Sequence, residues 1–368
     1  MLKCVVMLSE IGCCFTLLAC TNETAKDPCV ELGVASKTVV ACTPTAEPLL
    51  LGEEAGLPEF PNPHPILYEG YQLIRHSDLV IYSDPSGKVL SRPKDGGQKI
   101  LWMDASPCYV HGLAARGEDL LVSTACDVSS SGELKFWKAE LWSVSGAGAI
   151  PTRLASHDDA AGLDITVVGD TLLWTTEKEE QKTLWALWRG QPASAHPEED
   201  PIGADTSTKP IVLDDTVYFT VRQTGMCGIY AWPLWSDGST RTVAETHAEG
   251  LFAASGRLYW TKNEESGDAR SYERHLWTWA PGETSPRLAF EAIVPALLAP
   301  VEQRFVGVGF ASPDGVVAYR VYSYDPDAYQ PRAIAAALNS PKALVVDSQY
   351  AWFIDAGTKS YRVVRVRH

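Results

Sequence analysis

Ser255-Gly256-Arg257-Leu258-Tyr259-Trp260-Thr261 is the stretch whose reading decides the fold. A Ser-Gly turn leads into a short run of large apolar and aromatic residues that ends in Thr. That is how a turn feeding a buried strand is spelled. The phrase recurs along the chain as Asp78-Leu79-Val80-Ile81-Tyr82-Ser83 and Asp119-Leu120-Leu121-Val122-Ser123. It returns as Gly169-Asp170-Thr171-Leu172-Leu173-Trp174-Thr175-Thr176 and as Asp214-Asp215-Thr216-Val217-Tyr218-Phe219-Thr220. A divergent copy lies at 303–308, and the last is Gln349-Tyr350-Ala351-Trp352-Phe353-Ile354-Asp355. Successive turns at 78, 119, 170, 215, 256, 303 and 349 are 41, 51, 45, 41, 47 and 46 residues apart.

A second alternating run follows each copy, as in Glu140–Val144, Leu184–Trp188 and His275–Trp279. Trp277 and Trp279 are two apart, so on a strand they share one face. Lys94-Asp95-Gly96-Gly97 and Ser236-Asp237-Gly238-Ser239 supply hairpin turns. Helical periodicity is confined to about 334–339, too short for a stable helix. Twelve tryptophans and fourteen tyrosines fit a strand-rich chain. A repeat of roughly 40–50 residues built from four strands is a propeller blade. The expected fold is therefore all-β: a β-propeller of seven four-stranded blades, with six as the alternative. The last copy reaches only its third strand, 361–366, before the chain ends. An open ring exposes strand edges, so a segment around Ile66–Tyr68 is expected to supply the missing outer strand. The tryptophan stripes then read as packing between blades rather than as platforms for sugars.

Leu258-Tyr259-Trp260-Thr261-Lys262 and the Ser236-Asp237-Gly238-Ser239 turn resemble the YWTD propellers of low-density-lipoprotein receptors and their bacterial relatives. The resemblance covers most of 70–368 as a degenerate repeat and implies the propeller fold, with six blades the family's usual number. The motif's Asp is replaced by Glu177, Arg222 and Lys262 and stands only at Asp355. No ligand site is carried over. Ser312-Pro313-Asp314-Gly315 is similar to a turn of Tol-associated periplasmic propellers.

Upstream, residues 1–20 read MLKCVVMLSEIGCCFTLLAC. Lys3 precedes an apolar stretch, and Leu17-Leu18-Ala19-Cys20 resembles a bacterial lipobox. The segment has the length of a signal peptide and is too short to span a bilayer as a helix. The resemblance implies lipid attachment at Cys20; a cleaved, unlipidated signal peptide is the alternative. Residues 21–65 hold seven prolines, and Pro61-Asn62-Pro63-His64-Pro65 suits neither helix nor central strand. The expected organisation is a signal peptide at 1–19, a lipidated Cys and proline-rich tether at 20–65, and the propeller at 66–368. The expected location is the cell envelope, after export, with the lipid as the sole membrane contact.

Of nine cysteines, Cys4, Cys13 and Cys14 fall in the signal segment. Cys29, Cys42, Cys108, Cys126 and Cys227 remain beside Cys20. Export permits disulfides. Cys29–Cys42 is the pair expected in the tether. Cys108–Cys126 is the pair expected in the propeller, because both positions fall on the same face of the second blade. No Cys/His spacing suited to zinc occurs.

With 31 basic and 46 acidic residues the formal charge is −15. Such a surface repels nucleic-acid phosphates and anionic lipid. No GxSxG or HExxH motif is present, so no catalytic residue, metal or cofactor is assigned. Inner strands should begin near His111, Gly162, Lys209, Glu249 and Lys342. That places His111, Asp164, Lys209, Glu249 and Lys342 around the mouth of the central channel, with His157, Asp158 and Asp159 beside them. Mixed charge there suits a small polar ligand. Two long loops, 127–138 and 263–274, belong to the same face and are candidates for partner contact. The expected function is a monomeric propeller that binds an envelope protein or a surface polymer. The alternative is a metal-assisted hydrolase or lactonase drawing on Asp164, Asp214 and Glu249.

Overall fold

The computed structural model describes residues 49–55, 71–127, 137–178, 181–187, 199–204, 209–223, 226–235, 240–246, 248–265, 272–290, 297–301, 304–311, 318–325, 330–338, 341–356 and 360–368. They form an all-β propeller of seven four-stranded antiparallel sheets. The first strand is β1, Leu49–Ala55. Blade 1 then holds β2–β5, from Leu73–His76, Leu79–Ser83, Lys88–Pro93 and Ile100–Asp104. Blade 2 holds β6–β9, from Tyr109–Arg116, Asp119–Asp127, Trp137–Val144 and Thr152–Asp158. Blade 3 holds β10–β13, from Ala161–Val168, Thr171–Lys178, Gln181–Leu187 and Glu199–Ala204. Blade 4 holds β14–β17, from Ile211–Leu213, Thr216–Gln223, Met226–Pro233 and Arg241–Ala244. Blade 5 holds β18–β21, from Glu249–Ala254, Arg257–Glu265, Tyr272–Trp279 and Arg287–Phe290. Blade 6 holds β22–β25, from Leu297–Val301, Arg304–Ala311, Ala318–Asp325 and Gln330–Leu338. Blade 7 joins β26–β28, from Pro341–Val346, Tyr350–Ala356 and Ser360–Arg367, to β1.

Each copy of the repeated phrase is the second strand of its blade. Its apolar residues fill both faces, because a blade packs against a neighbour on each side. Tyr82, Trp174, Tyr218, Phe219, Trp260 and Trp352 are all buried there. The hydroxyls that end the phrase, Ser83, Ser123, Thr175, Thr220 and Thr261, are buried too. The alanine-rich stretch near 334–339 falls largely within β25.

The inner strands β2, β6, β10, β14, β18, β22 and β26 follow one another around the ring. Thr166 on β10 donates to the Pro210 carbonyl just ahead of β14 at 2.9 Å, tying blade 3 to blade 4. Gly112 on β6 faces β10 so closely that a Cβ would stand 2.4 Å from the Leu163 carbonyl oxygen. Any side chain at 112 would push these two blades apart.

The ring closes with an N-terminal strand, but not the one expected from the sequence. β1 pairs antiparallel with β28, from Leu49 opposite Arg365 to Ala55 opposite Ser360. The closing strand thus lies inside the stretch assigned to the tether, and Ile66–Tyr68 falls outside the described residues. Proline density misled the boundary. Residues 49–55 carry no proline and read Leu-Leu-Leu-Gly-Glu-Glu-Ala, which leaves every amide free to donate to the ladder.

The seam between blade 7 and blade 1 is apolar within and charged at its edge. Trp352, Ile354, Tyr361 and Val363 pack against Tyr71, Leu73, Val80, Tyr82 and Leu90. Arg75 pairs with Asp347 at 2.6 Å and lies 5.5 Å from the centroid of the Trp352 ring. Arg365 pairs with Asp95 and lies 4.3 Å from the Tyr350 ring centroid. The Trp352 indole N–H donates to the Lys94 carbonyl at 3.3 Å.

Candidate functional site

The antiparallel order of every blade puts the first residues of all inner strands at one end of the ring. At that end four inner strands break register. The shift falls between Val110 and Gly112 on β6, Gly162 and Ile165 on β10, Glu249 and Phe252 on β18, and Pro341 and Ala343 on β26. The residues that fall between consecutive register partners are His111, Leu163 with Asp164, Gly250 with Leu251, and Lys342. Such bulges re-aim side chains and end pairing. Gly250 takes φ +58°, a left-handed conformation that glycine adopts without strain. Three of the sequence-derived mouth residues, His111, Asp164 and Lys342, therefore sit at bulges. Glu249 opens β18, and Lys209 stands two residues before β14.

These residues share an end of the ring but not an environment. Lys209 and Lys342 are exposed, Asp164 is half-buried, and His111 is buried. The His111 Nε2 atom has no hydrogen-bond partner among the described residues. Burial pushes the imidazole pKa down to about 4. The Tyr109 ring lies 6.4 Å from it, and Trp137 lies 6.2 Å from Tyr109. The Cys108–Cys126 disulfide stands beside this group, next to the Tyr109–Ala125 pair of the β6–β7 ladder. It fastens the same end of blade 2 over a separation of 18 residues. Cys20, Cys29 and Cys42 lie outside the described residues.

A neutral buried histidine makes stability depend on pH. The unfolded imidazole titrates near 6.5 and the folded one near 4. Between those values the unfolded chain binds more protons, so stability falls as pH drops through that window and levels off below it. The full difference is about 3 kcal/mol. Denaturation midpoints measured from about pH 7 to about pH 4 should show this decline, and His111→Leu should flatten most of it. An unchanged slope in that variant would mean other groups carry the dependence.

The carboxylates of the hydrolase reading are not brought together. Asp214 sits in the turn between β14 and β15 with φ +48°, at the end of its blade opposite Asp164 and Glu249. Among the described residues no group of three His, Cys, Asp or Glu could hold a metal ion. His157 also leaves the rim: its ring lies 4.6 Å from Trp185, stacked, and 5.1 Å from Trp174. The loop expected over 263–274 is shorter, because Asn263–Glu265 pairs with 272–274 in the β19–β20 ladder.

One feature escaped the sequence reading. Between blades 4 and 5 lies a cavity of about 250 Å³, walled by Ala244, Glu245, Thr246, Trp260, Lys262 and Trp277. The Nε1 atoms of Trp260 and Trp277 have no acceptor among the described residues. The signal lay in the motif itself, where Lys262 follows the Trp-Thr pair and Thr176 follows it in blade 3.

No protein-family model and no curated protein sequence matches the chain. Solved structures do. The β-propeller domain of the Trilobed protease from Pyrococcus furiosus aligns at a TM-score of 0.55 and 14% identity, over 80% of this chain and 95% of that one. A puromycin hydrolase aligns at 0.57 and 14% identity, over 80% of this chain and 51% of that one, so the chain spans about half of that enzyme. YCF48, solved with a D1 peptide bound, aligns at 0.53 and 7% identity, over 89% of this chain and 98% of that one. At such identities the likeness is one of fold, and the fold it shows is the β-propeller.

Proposed function

We propose that this chain is an exported, lipid-anchored envelope protein whose propeller captures a partner protein at the end of the ring where the inner strands begin. The observation that carries the reading is the set of bulges at that end. Four blades there break the regular ladder and re-aim residues of mixed character, as recognition surfaces do. The lipobox-like Leu17-Leu18-Ala19-Cys20 supports the address. The Cys108–Cys126 disulfide suits an oxidising compartment. The net charge of −15 argues against nucleic acid and for partners of neutral or basic character. YCF48, a propeller of similar fold solved with a D1 peptide bound, supports a polypeptide as the kind of partner. The hydrolase alternative receives no support from the geometry, because Asp214 is turned away from its supposed companions.

Two measurements test the reading. The N-terminal peptide from native membranes should begin at Cys20 and carry diacylglycerol, and Cys20→Ala should lose it. An unmodified peptide retaining Met1 overturns the anchor. A photo-crosslinking residue at Lys209 or Lys342 should yield a discrete adduct in cells, while one at Asp170, in the exposed turn at the opposite end, should not. Equal labelling at both ends, or none at either, overturns partner capture by this face.

A further inference from the structure

Four large hydrophobic side chains are exposed among the described residues: Ile100, Leu101, Ile150 and Trp235. All four lie at one end of the ring, away from the starts of the inner strands. Ile100 and Leu101 open β5, opposite Ser91 and Leu90 of β4. Ile150 lies in the turn between β8 and β9 and is 91% exposed. Trp235 stands two residues past β16, and its indole N–H donates to Asp215, in the turn between β14 and β15, at 3.1 Å. One exposed apolar residue on a surface needs no explanation. Here three separate places, in blades 1, 2 and 4, put theirs on the same outer rim.

The same rim carries cations. Lys99, Arg153, Arg241, Arg287 and Arg367 are exposed there. Lys99 precedes β5, the three middle arginines lie at the starts of β9, β17 and β21, and Arg367 ends β28. Two acids of the rim, Asp95 and Glu283, are paired with Arg365 and Arg257. The other exposed acids of this end, Asp78, Glu118, Asp170, Asp214 and Asp215, sit in turns between first and second strands, nearer the axis. Negative charge is thus gathered inside, with cations and apolar tips outside. The chain also enters the ring here. β1 begins with Leu49 opposite Arg365 and runs to Ala55 opposite Ser360, so the segment that carries Cys20 joins the propeller at this end.

We propose that this outer rim rests on the phospholipid surface that holds Cys20, with Ile100, Leu101, Ile150 and Trp235 at head-group depth. Aliphatic tips and a tryptophan beside cations are what an interfacial contact needs. The cations meet phosphate oxygens, and Trp235 offers lipid an apolar body while its N–H stays bonded to Asp215. A bilayer meets tips on separate blades at once, where a protein would need a matching hollow for each. The acidic inner turns disfavour strongly anionic lipid, so the contact suits zwitterionic head groups. The lipid, expected to be the sole membrane contact, gains a second one. The end that bears Lys209 and Lys342 then points away from the bilayer.

The inference rests on the lipid-anchor reading, and the two fail separately. A photo-crosslinking residue is placed at Ile150, at Trp235 or, as the control, at Lys342 of the full chain in cells. Adducts are read as peptide masses raised by one phospholipid, and the N-terminal peptide is weighed in the same sample. Lipid adducts at Ile150 and Trp235 should exceed those at Lys342 by about tenfold or more. Ile100→Asp with Ile150→Asp should lower the adduct at Trp235 about tenfold, because a carboxylate resists entry into the interface. Both sites are exposed, and an unchanged melting curve checks that the double variant is folded. Equal lipid adducts at all three positions, none at any, or protein adducts at Ile150 and Trp235 overturn the proposal. So does an adduct at Trp235 that the double variant leaves unchanged. A diacylglyceryl peptide without lipid adducts on the rim sinks the docking face and keeps the anchor. Rim adducts beside an unmodified N-terminal peptide sink the anchor and keep the face.

Discussion

Trp352→Ala should destabilise the propeller by about 3–5 kcal/mol, the range for removing a large buried aromatic side chain. Trp352 is fully buried at the seam between the last and first blades. Its ring packs among side chains from both, its indole N–H reaches the Lys94 carbonyl across the seam, and the Arg75 guanidinium lies beside it. The loss is therefore one of closure as well as of volume. Chemical denaturation should show a midpoint shift of that size, with protection of amide hydrogens lost first in β2 and β26. A loss below about 1 kcal/mol would mean the seam relaxes to fill the space. It would place the ring's cohesion elsewhere.

Arg362→Met should cost about as much, 3–5 kcal/mol, by stranding a charge. Asp355 is fully buried and pairs with Arg362, its direct neighbour across the β27–β28 ladder. Removing the guanidinium takes the counter-charge from a fully buried carboxylate. Adding Asp355→Asn to Arg362→Met should recover a large part of the loss, since a neutral amide escapes most of the penalty for burying charge. If the double variant is as unstable as the sum of the two single variants, the pair is not coupled. Arg362 also faces Glu53 in the β28–β1 register, so this pair stands one strand in from the closing edge.

The repeat was legible because a blade must bury its second strand on both faces, and only large apolar residues satisfy that seven times over. The spacing of Tyr259-Trp260-Thr261 and its counterparts gave the blades, and the position of Cys108 and Cys126 on one blade face gave their disulfide. The starts of the inner strands were legible for the same reason. What escaped was what depends on contact between blades. Nothing local distinguishes His111, buried with its Nε2 unpartnered among the described residues, from Lys342, exposed at an equivalent bulge. That difference is decided by Tyr109, Trp137 and the neighbouring strand. The closing strand was misplaced because Leu49–Ala55 lacks the aromatic-Thr signature. Its strand character is conferred by β28, whose paired residues lie 305 to 316 positions away in sequence. The cavity between blades 4 and 5 becomes visible only once Ala244–Thr246 is brought beside Trp260 and Trp277 of the next blade.

The pairing of β1 with β28 sets the order in which the molecule can be made. Six of the seven sheets described are built from four consecutive strands, so each can zip up soon after its own residues emerge. Blade 7 cannot. β1 is made first among these strands, and its partner β28 is made last. Such distant pairing is slow, because a long loop must close before any contact rewards it. Until β28 emerges, β1 must wait for its partner and blades 1 to 6 form an open arc. A chain stopped short of Ser360 would hold most of its sheets and still lack a closed ring. Ring completion thus waits on β28, the last of the described strands to be made.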